Sequence, residues 1–129
     1  NDWQTSFIPT LLQKQFINEK FYSKIKTAYL IHSVNNYRKF SKSTYDMLDI
    51  KPSQSGKQID NHIQAMEHAD LVIVLNYEST KLMDNLKKQK KLHEKLEATN
   101  HLILDVPKKT NHEIWANITN TIDSYCRKL

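Results

Sequence analysis

An α/β fold with an open parallel sheet and helices on both faces is predicted by three observations. Three short runs rich in β-branched residues, 27 to 34, 70 to 75 and 101 to 106, are each followed by a helical stretch. The middle run, Leu71-Val72-Ile73-Val74-Leu75, is apolar at every position, as in a strand covered on both sides at the centre of a sheet. An amphipathic stretch precedes the first run, so the order is helix first.

Each element has a local reason. Ser6 or Thr5 is placed to cap a first helix reaching about Tyr22, with Pro9 tolerated in its opening turn and Ile8, Leu12 and Phe16 on one side. A strand over 26 to 34, built on Ala28, Tyr29, Leu30 and Ile31, gives way to polar Asn35 and Asn36. A short helix at 43 to 48 and a loop over 49 to 56 come next, the loop marked by Pro52, Ser53, Ser55 and Gly56. The spacing of Ile59, Ile63 and Met66 predicts a helix over 58 to 68. Ser79 is expected to cap a long helix to about Asn100, with Leu82, Leu86, His93 and Leu96 facing inward. Leu102, Ile103 and Leu104 form the third strand, which Pro107 stops. Ile114, Ile118 and Ile122, then Tyr125 or Cys126, make the buried stripe of a final helix.

A doubly wound sheet ordinarily opens with a central strand, so a fourth, central first strand is expected upstream of Asn1, the visible residues 1–129 forming a single domain. Ligands of such sheets sit at the carboxyl ends of strands. Here those places are residues 33 to 36, 76 to 78 and 105 to 109.

Composition narrows the function. The 129 residues are 39% hydrophobic, enough for one core, and no apolar run approaches the ~18 residues of a membrane span. With no secretory signal either, a soluble cytoplasmic protein that does not engage membranes is expected. Cys126 is the lone cysteine, and the six histidines fall on separate elements or off a shared helical face, so no metal site is expected. The single glycine, Gly56, cannot build a glycine-rich phosphate loop, and no cofactor is expected. The net charge of +5 comes from 17 lysines and only two arginines, Arg38 and Arg127. Lysine attracts anions without arginine's planar fork, which disfavours specific nucleic-acid recognition. The run Lys81, Lys87, Lys88, Lys90, Lys91 and Lys95 reads as a solvated helix face interrupted by Asp84, Glu94 and Glu97.

Several strings, taken in order, carry a resemblance. Ser33 follows the strand at Tyr29 to Ile31. Asp49-Ile50 lies in the loop, and Ser55-Gly56-Lys57-Gln58-Ile59 comes after it. Ala69-Asp70-Leu71-Val72-Ile73-Val74-Leu75 precedes a helix, and Leu104-Asp105-Val106-Pro107 precedes the helix containing Glu113-Ile114-Trp115. In this order the chain resembles the low-molecular-weight protein tyrosine phosphatases, a family that includes arsenate reductases. The resemblance implies a phosphate loop whose asparagine falls on Asn1, with Trp3 at the second cysteine, Gln4 at the arginine and Thr5 at the serine. The nucleophilic cysteine would lie upstream, and the family's Asp-Pro pair falls on Lys108-Lys109, leaving Asp105 as the nearest general acid.

Phosphoryl transfer needs a thiolate, an arginine on the equatorial oxygens and a proton donor. Gln4 lacks the charge, so the resemblance implies a catalytically impaired, phosphatase-like domain, a pseudoenzyme that binds phosphate, another oxyanion or a protein partner. Asn1, Gln4, Thr5, Ser6, Asn35, Asn36, Asn76, Tyr77, Lys108 and Lys109 are the ligand-binding candidates. An active phosphotyrosine phosphatase or arsenate reductase is the first alternative. A nucleoside deoxyribosyltransferase-like or TIR-like domain, with Glu78 or Glu67 as its carboxylate, is the second. Pairing with a second copy as a homodimer is a further way to complete the sheet.

Overall fold

The computed structural model describes residues 2–16 and 18–129. In chain order the elements are α1 (Phe7–Lys14), β1 (Ala28–Ile31), β2 (Lys39–Ser41), α2 (Lys42–Met47), β3 (Gln58–Asp60), α3 (Asn61–Met66), β4 (Leu71–Tyr77), α4 (Leu82–Lys87), α5 (Lys90–Glu97), β5 (His101–Val106) and α6 (His112–Cys126). Short 3-10 turns at Trp3–Thr5, Tyr22–Lys24 and Asn36–Arg38 join them.

The main sheet is parallel, in the order β1-β4-β5, with Ala28 opposite Leu71 and Val72 opposite His101. The all-apolar run is therefore the central strand, and alternation along it feeds two cores. Val72 and Val74 pack with Tyr29, Ile31, Met66, Leu82, Leu86, Leu92 and Leu96 beneath α3, α4 and α5. Leu71, Ile73 and Leu75 pack with Val106 and Ile118 beneath α6. Each such side chain, fully buried, contributes about 1.5–3 kcal/mol. The expected α/β architecture, a parallel sheet flanked by helices, is the observed one.

Local boundaries depart from the sequence expectation where tertiary partners outweigh propensity. The first helix ends at Lys14 instead of near Tyr22. Ser6, at its start, makes no side-chain cap; its hydroxyl donates to the Trp3 carbonyl and accepts from Asn61. Residues 58–60, expected as helix, pair antiparallel with 39–41 as a separate two-stranded sheet, with Ile59 buried against Tyr45 and Ile50. Asp60 then caps α3 by accepting from the His62 N–H.

The long helix expected after Ser79 is two helices. Asn76, not Ser79, caps the first through Met83 N–H. Gln89 breaks the run with φ −106° and ψ 82°, and its side-chain amide accepts from Arg38. At the end of α2, Asp49 takes φ 52° and Ile50 N–H bonds back to the Tyr45 carbonyl, a left-handed stop that a short polar residue tolerates. Gly56, at φ 139°, occupies a conformation that side chains rarely adopt. No helix among the described residues is long and apolar enough to cross a membrane.

Candidate functional site

The carboxyl ends of the three parallel strands carry two separate groups of polar side chains. At β1 the group is buried and built around Asp2, which sequence reasoning passed over. The Asp2 N–H donates to the Leu30 carbonyl, which brings the amino end of the chain against the strand end. Asp2 holds φ 58°, unusual for a non-glycine residue, and is 1% exposed.

The side chain of Asp2 sits among donors. Its Oδ2 accepts from Ser33 Oγ at 2.5 Å, and Ser33 Oγ accepts from Asn35 Nδ2 at 3.2 Å. His32 Nε2 lies 3.6 Å from Oδ2, and His62 Nε2 lies 3.6 Å from Oδ1, both beyond hydrogen-bond length. Asp2 Oδ1 is thus buried without a hydrogen-bond partner. A carboxylate oxygen in that condition costs free energy that an ordinary core has no reason to keep.

His62 defines its own tautomer. Its Nε2 faces the Ser33 carbonyl at 2.9 Å, and a carbonyl can only accept, so the proton is on Nε2. Nδ1 then accepts from the Tyr29 hydroxyl at 2.8 Å. Burial pushes the His62 pKa below the ordinary imidazole value, so the ring is neutral, while burial first and the charges of Asp2 and Asp60 next raise the Tyr29 pKa. His32, by contrast, has a side chain 40% exposed and is the member of the cluster that meets solvent beside Asp2.

A buried ion pair closes the cluster on its far side. Arg38, 2% exposed, donates from Nε to Asp60 Oδ2 at 2.8 Å and from Nη1 to the Asn35 carbonyl at 2.5 Å, and Nη2 donates to Gln89. Asn35 Oδ1 accepts from Tyr37 N–H, which shapes the turn that delivers the arginine.

The second group lies at the ends of β4 and β5 and is shallow. Asn76 Nδ2 donates to Asp105 Oδ1 at 2.7 Å, and Glu78 Oε2 accepts from Lys108 N–H at 2.9 Å. Asn76, Glu78, Asp105, Val106 and Pro107 line a cavity of about 320 Å³.

The sequence-predicted residues divide between these groups. Asn35 belongs to the buried cluster, and Asn36 is exposed beside it. Asn76, Asp105 and Lys108 belong to the shallow one, while Tyr77 is half-buried against the core under α6 and Lys109 is exposed. Gln4 is exposed on the first turn, Thr5 donates to the Asp2 carbonyl at 3.4 Å, and Ser6 is buried. Asn1 lies outside the described residues. No hydrogen bond links Asn76 or Asp105 to Ser33 or Asn35. Asp2, His32, His62, Arg38 and Gln89 were missed as site residues because their roles come from contacts across the fold. The one local signal was the polar string Asn61, His62 and Gln64 within a helix that has an apolar stripe. No group of three histidine, cysteine or carboxylate side chains among the described residues is arranged to hold a metal ion.

Residues 1–97 match the family model described as the starch synthase catalytic domain. No curated protein and no solved structure matches the chain. The family match overturns the resemblance to low-molecular-weight phosphatases and arsenate reductases, and with it the impaired phosphatase, the pseudoenzyme and the active hydrolase. The geometry gives the physical reason. Trp3, Gln4 and Thr5, which the resemblance places in a phosphate loop, form a 3-10 turn; Ser6 after it is committed to Trp3 and Asn61, and Gln4 is exposed. The chemistry the match implies is group transfer, not phosphate hydrolysis. The second alternative, which moves a glycosyl group, stands nearer to this, but its carboxylates are engaged: Glu67 with Lys95 at 3.2 Å, and Glu78 with the backbone at Lys108.

Proposed function

We propose, from the premise that this chain belongs to the starch synthase catalytic-domain family, that it is a glycosyl-transfer domain whose sugar-binding end is the cluster after β1. In glycosyl transfer a sugar hydroxyl replaces the leaving group at an anomeric carbon and gives up its proton. The protein must therefore hold hydroxyls with fixed donors and acceptors and offer a group that can take or relay that proton.

The observation that carries the reading is the buried Asp2 carboxylate, whose Oδ1 has no hydrogen-bond partner and whose Oδ2 lies 3.6 Å from half-exposed His32. A buried acceptor without a donor, held on a left-handed backbone, fits a ligand hydroxyl better than it fits a packing role. His32 is the exposed imidazole next to it, suited to contact a sugar directly. Ser33, Asn35 and neutral His62 keep Asp2 in place from behind.

Calorimetric titration of the purified chain with maltoheptaose tests this. Saturable binding is expected, weakened about tenfold in His32→Ala, which removes one ligand contact of ~1.4 kcal/mol. Glucosyl transfer to the same acceptor should fall in parallel wherever turnover is measurable. Binding unchanged in both His32→Ala and Asp2→Asn would overturn the assignment.

A further inference from the structure

A second site lies on the helical flank, across the Arg38–Asp60 pair from Asp2. A groove of about 930 Å³ runs between α5, α3 and the loop before β3. Its size is in the range of pockets that take small organic ligands. Arg38, Lys39, Lys90, Lys91 and Lys95 line it, against two carboxylates, Asp60 and Glu94. Three glutamine amides and two serine hydroxyls share the wall, and Ile63, Leu92 and Ala98 supply an apolar strip.

The charges are not all neutralised internally. Asp60 is consumed by Arg38 through Oδ2 and by His62 N–H through Oδ1. Glu94 is 3.8 Å from Lys90, and Lys95 is paired with Glu67. Lys39 and Lys91 are left without a carboxylate at ion-pair distance among the described residues. Arg38 carries more N–H donors than its three partners use, and it is the buried, fixed cation of the wall. Gln54 ties the loop to the pair by exchanging two bonds with the Asp60 backbone, at 2.9 and 3.0 Å, so this side of the groove is preorganised.

We propose that this groove binds a phosphorylated small molecule. The lysines engage the phosphate as point charges, the glutamine amides orient it, Arg38 adds a fixed positive charge behind them, and the organic part lies on Ile63 and Ala98. The sequence assigned Lys90, Lys91 and Lys95 to a solvated face, but folding sets them opposite Arg38 and Lys39 across one groove. This inference does not rest on the sugar-binding reading: Arg38 and Asp60 border both places, but the variants that test it touch neither Asp2 nor His32.

Titration calorimetry of the full chain with inorganic pyrophosphate in low-salt buffer is the test, with a hexose monophosphate and a nucleoside diphosphate as separate arms. Lys39→Glu/Lys91→Glu should weaken pyrophosphate about tenfold or more, by loss of two attractive charges and gain of two repulsive ones. Lys20→Glu/Lys24→Glu, an equal charge change at exposed positions outside the groove, should stay within about twofold of the parent. At least one organic arm should bind more tightly than pyrophosphate, and the tighter arm identifies the source of the phosphate. Absence of saturable binding, equal weakening in the two double variants, or weaker binding of both organic arms would each overturn the proposal. Circular dichroism of each variant verifies the fold.

Discussion

The carboxyl end of β1 and the carboxyl ends of β4 and β5 occupy the same edge of one sheet, yet they are built oppositely. At β1, polar groups are buried and interlocked: Asp2, Ser33, Asn35, Arg38, Asp60 and His62 hold one another through hydrogen bonds, those to Asp2 and Asp60 charge-assisted. At β4 and β5, Asn76, Glu78 and Asp105 bond in a shallow, solvent-facing cavity. Position at a strand end is common to both, whereas burial of unsatisfied polarity belongs to one. That difference locates the site better than topology does, because solvent repairs an exposed carboxylate and cannot repair a buried one.

The largest effect that separates the two ends is expected from Arg38→Met. It strands Asp60 as an uncompensated buried charge and should cost about 3–5 kcal/mol in urea unfolding. Asp105→Asn, at the exposed end, should stay within about 0.5 kcal/mol. A similar cost for both would erase the contrast.

Asp2→Ala should fall between them. It removes the acceptor of Ser33 Oγ and should cost about 1–3 kcal/mol by the same measurement, offset in part because no carboxylate oxygen is then left buried without a donor.

The buried end also predicts a pH signature. Burial lowers the His62 pKa in the folded state, and to a lesser degree of burial that of His68, below the ordinary value of 6.5. Both rings are neutral in either state above that pH. As pH falls below it, the unfolded chain takes up protons that the folded chain refuses, so stability falls until the depressed folded values are reached. Asp2 and Asp60 oppose this shift at His62 and Arg38 reinforces it, while Lys14 and Lys95 reinforce it at His68. Urea unfolding at pH 7.5 and 5.5 should show the loss, and His62→Gln should make it smaller. An unchanged difference would place the proton uptake elsewhere.

The fold was legible because its strongest signal is local. Five consecutive apolar residues at Leu71 to Leu75 can be satisfied only at the middle of a covered sheet, and the stripe of Ile114, Ile118 and Ile122 only by a helix against it. Boundaries were less legible where a distant partner decides them. Nothing near Gln89 announces a helix break, since the cause is Arg38, far away in sequence. The candidate site was legible in part. Strand-end logic pointed to residues 33 to 36, and Ser33 and Asn35 are in the cluster, but Asp2 and His62 reach it by long-range packing with no local pattern. The phosphatase resemblance failed for a related reason. Short strings in the right order describe an alternation of strands and helices, which many chemistries share.

The central claim is that the buried polarity after β1, and not the shallow cavity after β4 and β5, receives the sugar. Backbone amide chemical shifts recorded during a maltoheptaose titration test it most directly. The account predicts the largest saturable shifts at His32, Ser33, Asn35 and His62, with Glu78, Asp105 and Lys108 nearly still. Shifts concentrated at Asn76 to Glu78 and Asp105 to Lys108, with His32 and Ser33 unmoved, would contradict it.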